Sequence, residues 1–174
     1  MALLPWLKGT VVRTEDYTHN TKRFWIQVPE VPVFDFRPGQ FVTLDLPIHE
    51  KPNKRWRSYS ISSWPDGTNV FELLVVQAQG GAGTSYLFNE VTEGSELTFR
   101  GPQGTFTLPA APDKDIFLVC TGTGIAPFRS MVQYLRLSGQ PVKNIHLVFG
   151  CRKKEDLLYF NELKALEQEL PGFH

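Results

Sequence analysis

Arg57-Ser58-Tyr59-Ser60 places a guanidinium, an aromatic ring and a hydroxyl within four residues. Side chains alternate along an extended strand, so Arg57 and Tyr59 face one side of it. Such a set suits a flavin: a ring face from Tyr59, a hydroxyl for the reactive edge from Ser60, a cation for phosphates from Arg57. An ordinary barrel strand with an exterior arginine is the plain alternative. Gly81-Ala82-Gly83-Thr84 precedes a short predicted helix. The free N–H groups of a helix N-terminus favour an anion, typically by ~0.3–1 kcal/mol at an exposed end. The glycines let the backbone approach a pyrophosphate, and Thr84 offers a hydroxyl donor; a flexible hairpin loop is the rival reading. Gly122-Thr123-Gly124 joins an apolar run to a helix start, where glycines permit a tight turn and a close ligand, as against a plain strand–helix turn. Pro127 stands where the dinucleotide fingerprint has its third glycine, so this is a different loop. In Gly150-Cys151-Arg152-Lys153-Lys154, three cations with no immediate carboxylate favour a nucleotide 2′-phosphate, hence NADPH over NADH. A solvated charge run balanced by Glu155 and Asp156 is the alternative.

Other chemistries find little support. His19, His49, His146 and His174 are scattered, and neither an acid–base dyad nor a nucleophile arrangement is visible. Two cysteines, Cys120 and Cys151, are too few for a four-ligand zinc or iron–sulfur site. Both fall in or beside apolar runs and read as free thiols, which fits a reducing, cytoplasmic compartment. Eighteen basic residues balance eighteen acidic ones, so charge gives no reason to expect nucleic acid or an anionic membrane. Met1 to Leu7 is apolar but short and lacks a basic leader, so it reads as a docked segment rather than a signal peptide. No run reaches the length of a membrane span.

The elements that must position these residues change character along the chain. Up to about residue 109, short β-branched and aromatic runs alternate with Pro, Gly and Asp clusters: Val11-Val12, Phe24–Val28, Phe41–Leu44, Ser58–Ile61, Phe71–Val76 and Glu96–Phe99. They predict a closed antiparallel barrel, with one short helix after Gly83. Pro109 to Asp113 reads as a linker. Ile116–Cys120 is a continuous apolar run, as in a strand covered on both faces. Ile125, Phe128, Val132 and Leu135 recur at helical spacing, Ile145–Phe149 is a second strand, and Tyr159, Leu163, Leu166 and Leu170 share a second helix face. This β-α-β-α order opens a parallel sheet. Two strands make a meagre sheet, and the chain reads as a truncated or unusually short form.

Together these stretches resemble the ferredoxin–NADP reductase superfamily. Arg57-Ser58-Tyr59-Ser60 matches its Arg-x-Tyr-Ser motif, and Gly81 to Thr84 is similar to its Gly-x-x-Ser/Thr phosphate loop. Gly101-Pro102-Gln103-Gly104-Thr105-Phe106 looks like its barrel-end turn, and Gly122 to Pro127 matches its Gly-Thr-Gly-Ile-Ala-Pro motif. Gly150-Cys151-Arg152 with Asp156, Tyr159 and Glu162 resembles the segment after its second nucleotide strand. Two departures stand out: the stretch before the glycine loop, Val75-Val76-Gln77, lacks the frequent basic residue, and the late Cys-Gly-Pro motif is absent, its expected place lying beyond His174.

The resemblance implies a six-stranded FAD barrel over 1–109 and a partial NAD(P)-binding α/β domain over 114–174. It implies FAD held by Arg57, Tyr59, Ser60, Ile61, Gly81, Gly83 and Thr84, with Tyr59 on the isoalloxazine and Ser60 near its N5. It also implies NADP, or NAD, held by Gly122, Thr123, Gly124 and Arg152. The expected activity is a flavoprotein reductase passing electrons from NADPH or NADH through FAD to a separate acceptor such as ferredoxin, flavodoxin or an oxygenase component. The alternative is a non-catalytic flavin-binding module or electron-transfer subunit.

Overall fold

A computed structural model describes residues 4–109 and 113–174. Met1 to Leu3, and the middle of the expected linker at 110–112, lie outside the described residues. Six strands form one antiparallel sheet: β1 (Leu7–Thr18), β2 (Thr21–Gln27), β3 (Phe41–Asp45), β4 (Trp56–Ser60), β5 (Val70–Val76) and β6 (Glu96–Gln103). Their order is β4-β3-β6-β1-β2-β5, and an antiparallel bridge from Ile61 to Leu73 brings the two ends together. The long β1 serves two neighbours, pairing its first residues with β6 and the rest with β2, with register shifts that bend it between them. Alternate residues fill the interior: Phe24 and Ile26, Val42 and Leu44, Phe71 and Leu73, Leu97 and Phe99. The rings of Phe34, Phe71 and Phe99 meet at 4.9–5.7 Å at its centre. Gly39 has φ 100°, and a Cβ there would lie 2.0 Å from the Phe106 carbonyl oxygen, so the position needs glycine on both counts. Helix α1 (Pro52–Arg55), a single turn begun by Pro52, leads into β4, and α2 (Ala82–Asn89) follows β5.

The second sheet is parallel: β7 (Ile116–Thr121) pairs with β8 (Ile145–Gly150) in register from Ile116↔Ile145 to Thr121↔Gly150. Helix α3 (Ile125–Ser138) connects them, and α4 (Phe160–Glu169) leads to Phe173, which bridges Ile145 on the far side of β8. The steps from β7 to β8 and from β8 to Phe173 run in the same direction. Right-handed crossovers therefore put both helices on one face. That face is apolar and packed, with Leu118, Cys120, Ile125, Val132, Leu135 and Leu166 buried. The other face is open: Phe117 and Val119 are each 67% exposed and Val148 is 54% exposed. The expectation that Ile116–Cys120 is covered on both faces is thus corrected, because among the described residues nothing crosses β7 in the opposite direction. His146 lies on this open face, stacked between Phe117 and His174 at 4.7 and 5.2 Å.

Strand β5 belongs to both cores. Phe71, Leu73 and Val75 point into the barrel, whereas Leu74 packs with the second core. The two units therefore share a seam along β5, and Glu72 lies in it.

Candidate functional site

Strand β4 presents Arg57 and Tyr59 on one side. Their cross-strand partners Leu44 and Val42 are both barrel residues, while Ser60 pairs with Phe41 and projects from the opposite side. Tyr59 is half-buried against the barrel core. Burial raises its phenol above the ordinary value, and the Arg57 charge opposes that only in part. Ile61 is fully buried within the barrel and donates its N–H to the Gln40 carbonyl, 3.0 Å away, so its side chain serves barrel closure.

The Arg57 side chain lies against Gly83, where a Cβ would be 3.0 Å from Arg57 Cγ and 3.1 Å from Nε. Its Nη1 donates to the carbonyls of Lys54 (3.0 Å) and Trp56 (2.8 Å). Among the described residues Nε and Nη2 have no partner, and they stand at the N-terminus of α2. The first N–H of α2 to find an acceptor within the turn is that of Ser85, to the Gly81 carbonyl at 2.9 Å. The N–H groups of the residues before it are those a helix leaves open. Thr84 behaves otherwise than expected. Its hydroxyl accepts the Ala78 N–H at 3.1 Å and bonds the Gly81 carbonyl at 3.1 Å, knotting the loop instead of pointing outward. A pyrophosphate fits this donor set: a cation with free N–H groups, a glycine that leaves room for it, and an open helix end.

The second group gathers elsewhere. Gly122, Thr123, Gly150, Cys151, Arg152 and Lys153, at the carboxyl ends of β7 and β8, line a cavity of about 800 Å³ whose other wall is the barrel hairpin Thr18–Thr21 with Val76. Ligands of open parallel sheets bind at such strand ends. Gly122 turns with φ 51° and has empty space where a Cβ would be. Gly124 does not line the cavity; a Cβ there would only touch Cys120 at 3.5 Å. Asp156 does line it, so the wall of this cavity holds a carboxylate as well as Arg152 and Lys153. The hairpin wall carries no motif, and only the packing of the two units reveals it. Burial pushes the Cys120 thiol up to about 11, whereas Cys151 is exposed in the cavity wall; both are free thiols.

Between the two groups lies a feature that no sequence motif marks. Glu72, 2% exposed, accepts two hydrogen bonds from Arg23 (2.9 and 3.1 Å), one from Arg129 Nη1 (3.0 Å) and one from the Tyr159 hydroxyl (2.7 Å). Burial alone would raise its carboxyl, but Arg23 and Arg129 outweigh that and hold it below its ordinary value. Tyr159 is itself buried, with φ 59° and its N–H bonded to the Tyr17 hydroxyl at 2.9 Å. Burial and the Glu72 charge both drive its phenol up. The available signal was a glutamate inside an unbroken apolar strand, because a buried carboxylate requires partners. Among the described residues no group of His, Cys, Asp and Glu is placed to hold a metal ion, and no helix is long and apolar enough to cross a membrane.

Residues 8–108 match the family model for an oxidoreductase FAD-binding domain, and residues 118–174 that for an oxidoreductase NAD-binding domain. The chain is 42% identical over 134 residues to ferredoxin–NADP reductase B of Sorangium cellulosum, covering 76% of this chain and 53% of that protein. It is 34% identical over 166 residues to the ferredoxin–NAD(P)(+) reductase component of the naphthalene 1,2-dioxygenase system of Pseudomonas putida, covering 95% of this chain and 48% of the relative. The chain thus spans about half the length of the curated relatives it matches. Among solved structures, a cytochrome P450 reductase from Amycolatopsis superposes with TM-score 0.84 at 29% identity, over 98% of this chain and 50% of that one. A ferredoxin NADP+ reductase from Neisseria gonorrhoeae, solved with FAD and NADP, superposes with TM-score 0.78 at 26% identity, over 97% and 65%.

Proposed function

This chain belongs to the ferredoxin–NADP reductase superfamily, and on that premise we propose that it works as a flavoprotein reductase. It takes electrons from NADPH, or NADH, through FAD to a separate redox acceptor such as ferredoxin, flavodoxin or an oxygenase component. Residues 1–109 form its FAD domain and 114–174 its NAD(P)-binding part. The reductases of oxygenase systems among its relatives support this class of acceptor. The free cysteines agree with a reducing, cytoplasmic setting.

The observation that carries the reading is that the nucleotide-type loop opens its cleft against the barrel that bears the Arg57–Gly83 anion site. Arg57 and the N-terminal N–H groups of α2, with Gly81 and Gly83 leaving room, hold the FAD pyrophosphate, while Thr84 keeps that loop in shape. Tyr59 offers a ring face to the isoalloxazine, Ser60 a hydrogen bond near its reactive edge, and Ile61 the rigid strand end beneath them. Gly122 and Thr123 admit the nicotinamide nucleotide, Gly124 starts α3 behind them, and Arg152 pairs with the 2′-phosphate. Bound FAD supplies the redox chemistry itself, converting a two-electron donor into one-electron steps.

The test is the visible spectrum of the protein with FAD, before and after anaerobic NADPH. Bleaching is expected. A bound flavin that stays oxidised would replace this reading with a flavin-binding module, and no bound flavin would remove it. In the same assay Arg152→Ala should weaken NADPH by about tenfold or more, the scale of one lost charge-assisted hydrogen bond, and leave NADH nearly unchanged. Equal losses for both would remove the 2′-phosphate role.

A further inference from the structure

We propose that Arg129 is the positioning residue that fixes the nucleotide loop relative to the flavin strand, and so sets the approach of nicotinamide to flavin. The inference rests on the functional reading above. Arg129 stands on α3, one turn beyond the Gly122–Gly124 turn from which that helix starts. It is 4% exposed. Its Nη1 donates to the Ser62 carbonyl (2.9 Å) and to Glu72 (3.0 Å). Ser62 lies two residues beyond Ser60 and is itself tied to β5, its N–H and hydroxyl both donating to the Glu72 carbonyl at 2.8 and 3.1 Å. On its other edge Arg129 makes a fork to Glu162 of α4, at 2.8 and 3.0 Å. The guanidinium plane lies over the Tyr159 ring at 4.3 Å and near that of Trp64 at 5.3 Å.

One planar cation, bonded through all three of its nitrogens, therefore ties the backbone just beyond the flavin strand and the barrel carboxylate to α3, which carries it, and to α4. Neither proposed cofactor would contact it: it lines no part of the nucleotide cavity and lies away from Arg57 and Gly83. Its fixed fork geometry is what lysine lacks, because an ammonium is a point charge that cannot span a carbonyl and two carboxylates at once. Small misplacements of reacting groups are costly even when binding is intact.

The experiment compares the wild-type chain with Arg129→Lys, which keeps the charge, and with Glu162→Gln, which loosens the outer fork together with the Gln133 bond to the same carboxylate. Three quantities are measured: affinity for FAD, affinity for adenosine 2′,5′-bisphosphate, and the rate of flavin bleaching at saturating NADPH. Both affinities should stay within about twofold in Arg129→Lys while the rate falls roughly a hundredfold, the scale of an ångström-sized misplacement. Glu162→Gln should lower the rate in the same direction by less. An unchanged rate overturns the proposal, and so does a rate that falls in proportion to either affinity, which marks a merely structural residue. Calorimetry of the same proteins supplies an arm independent of turnover. Wild type should unfold in one transition and Arg129→Lys in two, as the units uncouple; a single transition in both overturns the coupling. If wild type binds FAD but does not bleach, the reductase reading fails, and the calorimetric arm alone decides whether Arg129 couples the units.

Discussion

Glycine at position 83 is demanded by a neighbour and not by its own backbone. Its dihedrals are helical, but a Cβ there would press on the Arg57 side chain at 3.0 Å from Cγ and 3.1 Å from Nε, so that side chain would have to shift by a few tenths of an ångström. Gly83→Ala should therefore displace the guanidinium and weaken FAD by about tenfold, the scale of one charge-assisted contact. Absorbance titration checks this. Combined with Arg57→Ala the substitution should add nothing further, since the displaced group is already gone; an additive loss would show that Gly83 acts alone. Motif reading singled out both positions but could not see that they touch, because 26 residues separate them in sequence. Thr84 shows the converse. A hydroxyl after two glycines reads as a ligand donor, yet the loop's own Ala78 N–H and the Gly81 carbonyl claim it first.

Strands and helices were legible wherever residue periodicity reports burial. The alternation in β2 and β6 announces a one-sided barrel wall, and the helical spacing of Ile125, Phe128, Val132 and Leu135 announces α3. Two strands escaped that logic. In β7 an unbroken apolar run suggests two covered faces, but coverage depends on which way the crossovers turn, and no local pattern encodes that. In β5 the run is buried on both faces, yet one of its residues is a carboxylate whose partners come from β2, α3 and the residue before α4. Glu72 is held below its ordinary value of 4.5, so the folded state takes up its proton less readily than the unfolded one. Its contribution to stability is full above the unfolded carboxylate range and is lost as pH falls through the lower folded value. Glu72→Gln should flatten this acid limb in urea titrations run across that range. At neutral pH it should cost about 3–5 kcal/mol, since Arg23 and Arg129 lose their shared anion. An acid limb unchanged by the substitution would assign it to other carboxylates.

At the scale of the molecule, a barrel and a small parallel sheet meet along one strand, and among the described residues nothing covers one apolar face of the second sheet. Phe117, Val119 and Val148 form a stripe of the kind that drives association. Sedimentation of this 174-residue chain should show self-association that rises with concentration, and Val119→Lys should suppress it; a wild-type chain that stays monomeric would show the stripe to be too small to matter. The shared strand has a consequence of another kind. Side chains in β5 swap faces at every residue, so a slip of one position against β2 would drive the Glu72 carboxylate into the hydrocarbon of the barrel and turn Leu73 toward Arg129. A barrel closed in that wrong register would offer α3 and α4 no anion to dock against. Docking of the second unit therefore favours the β2–β5 register that presents Glu72 to Arg129 and Tyr159.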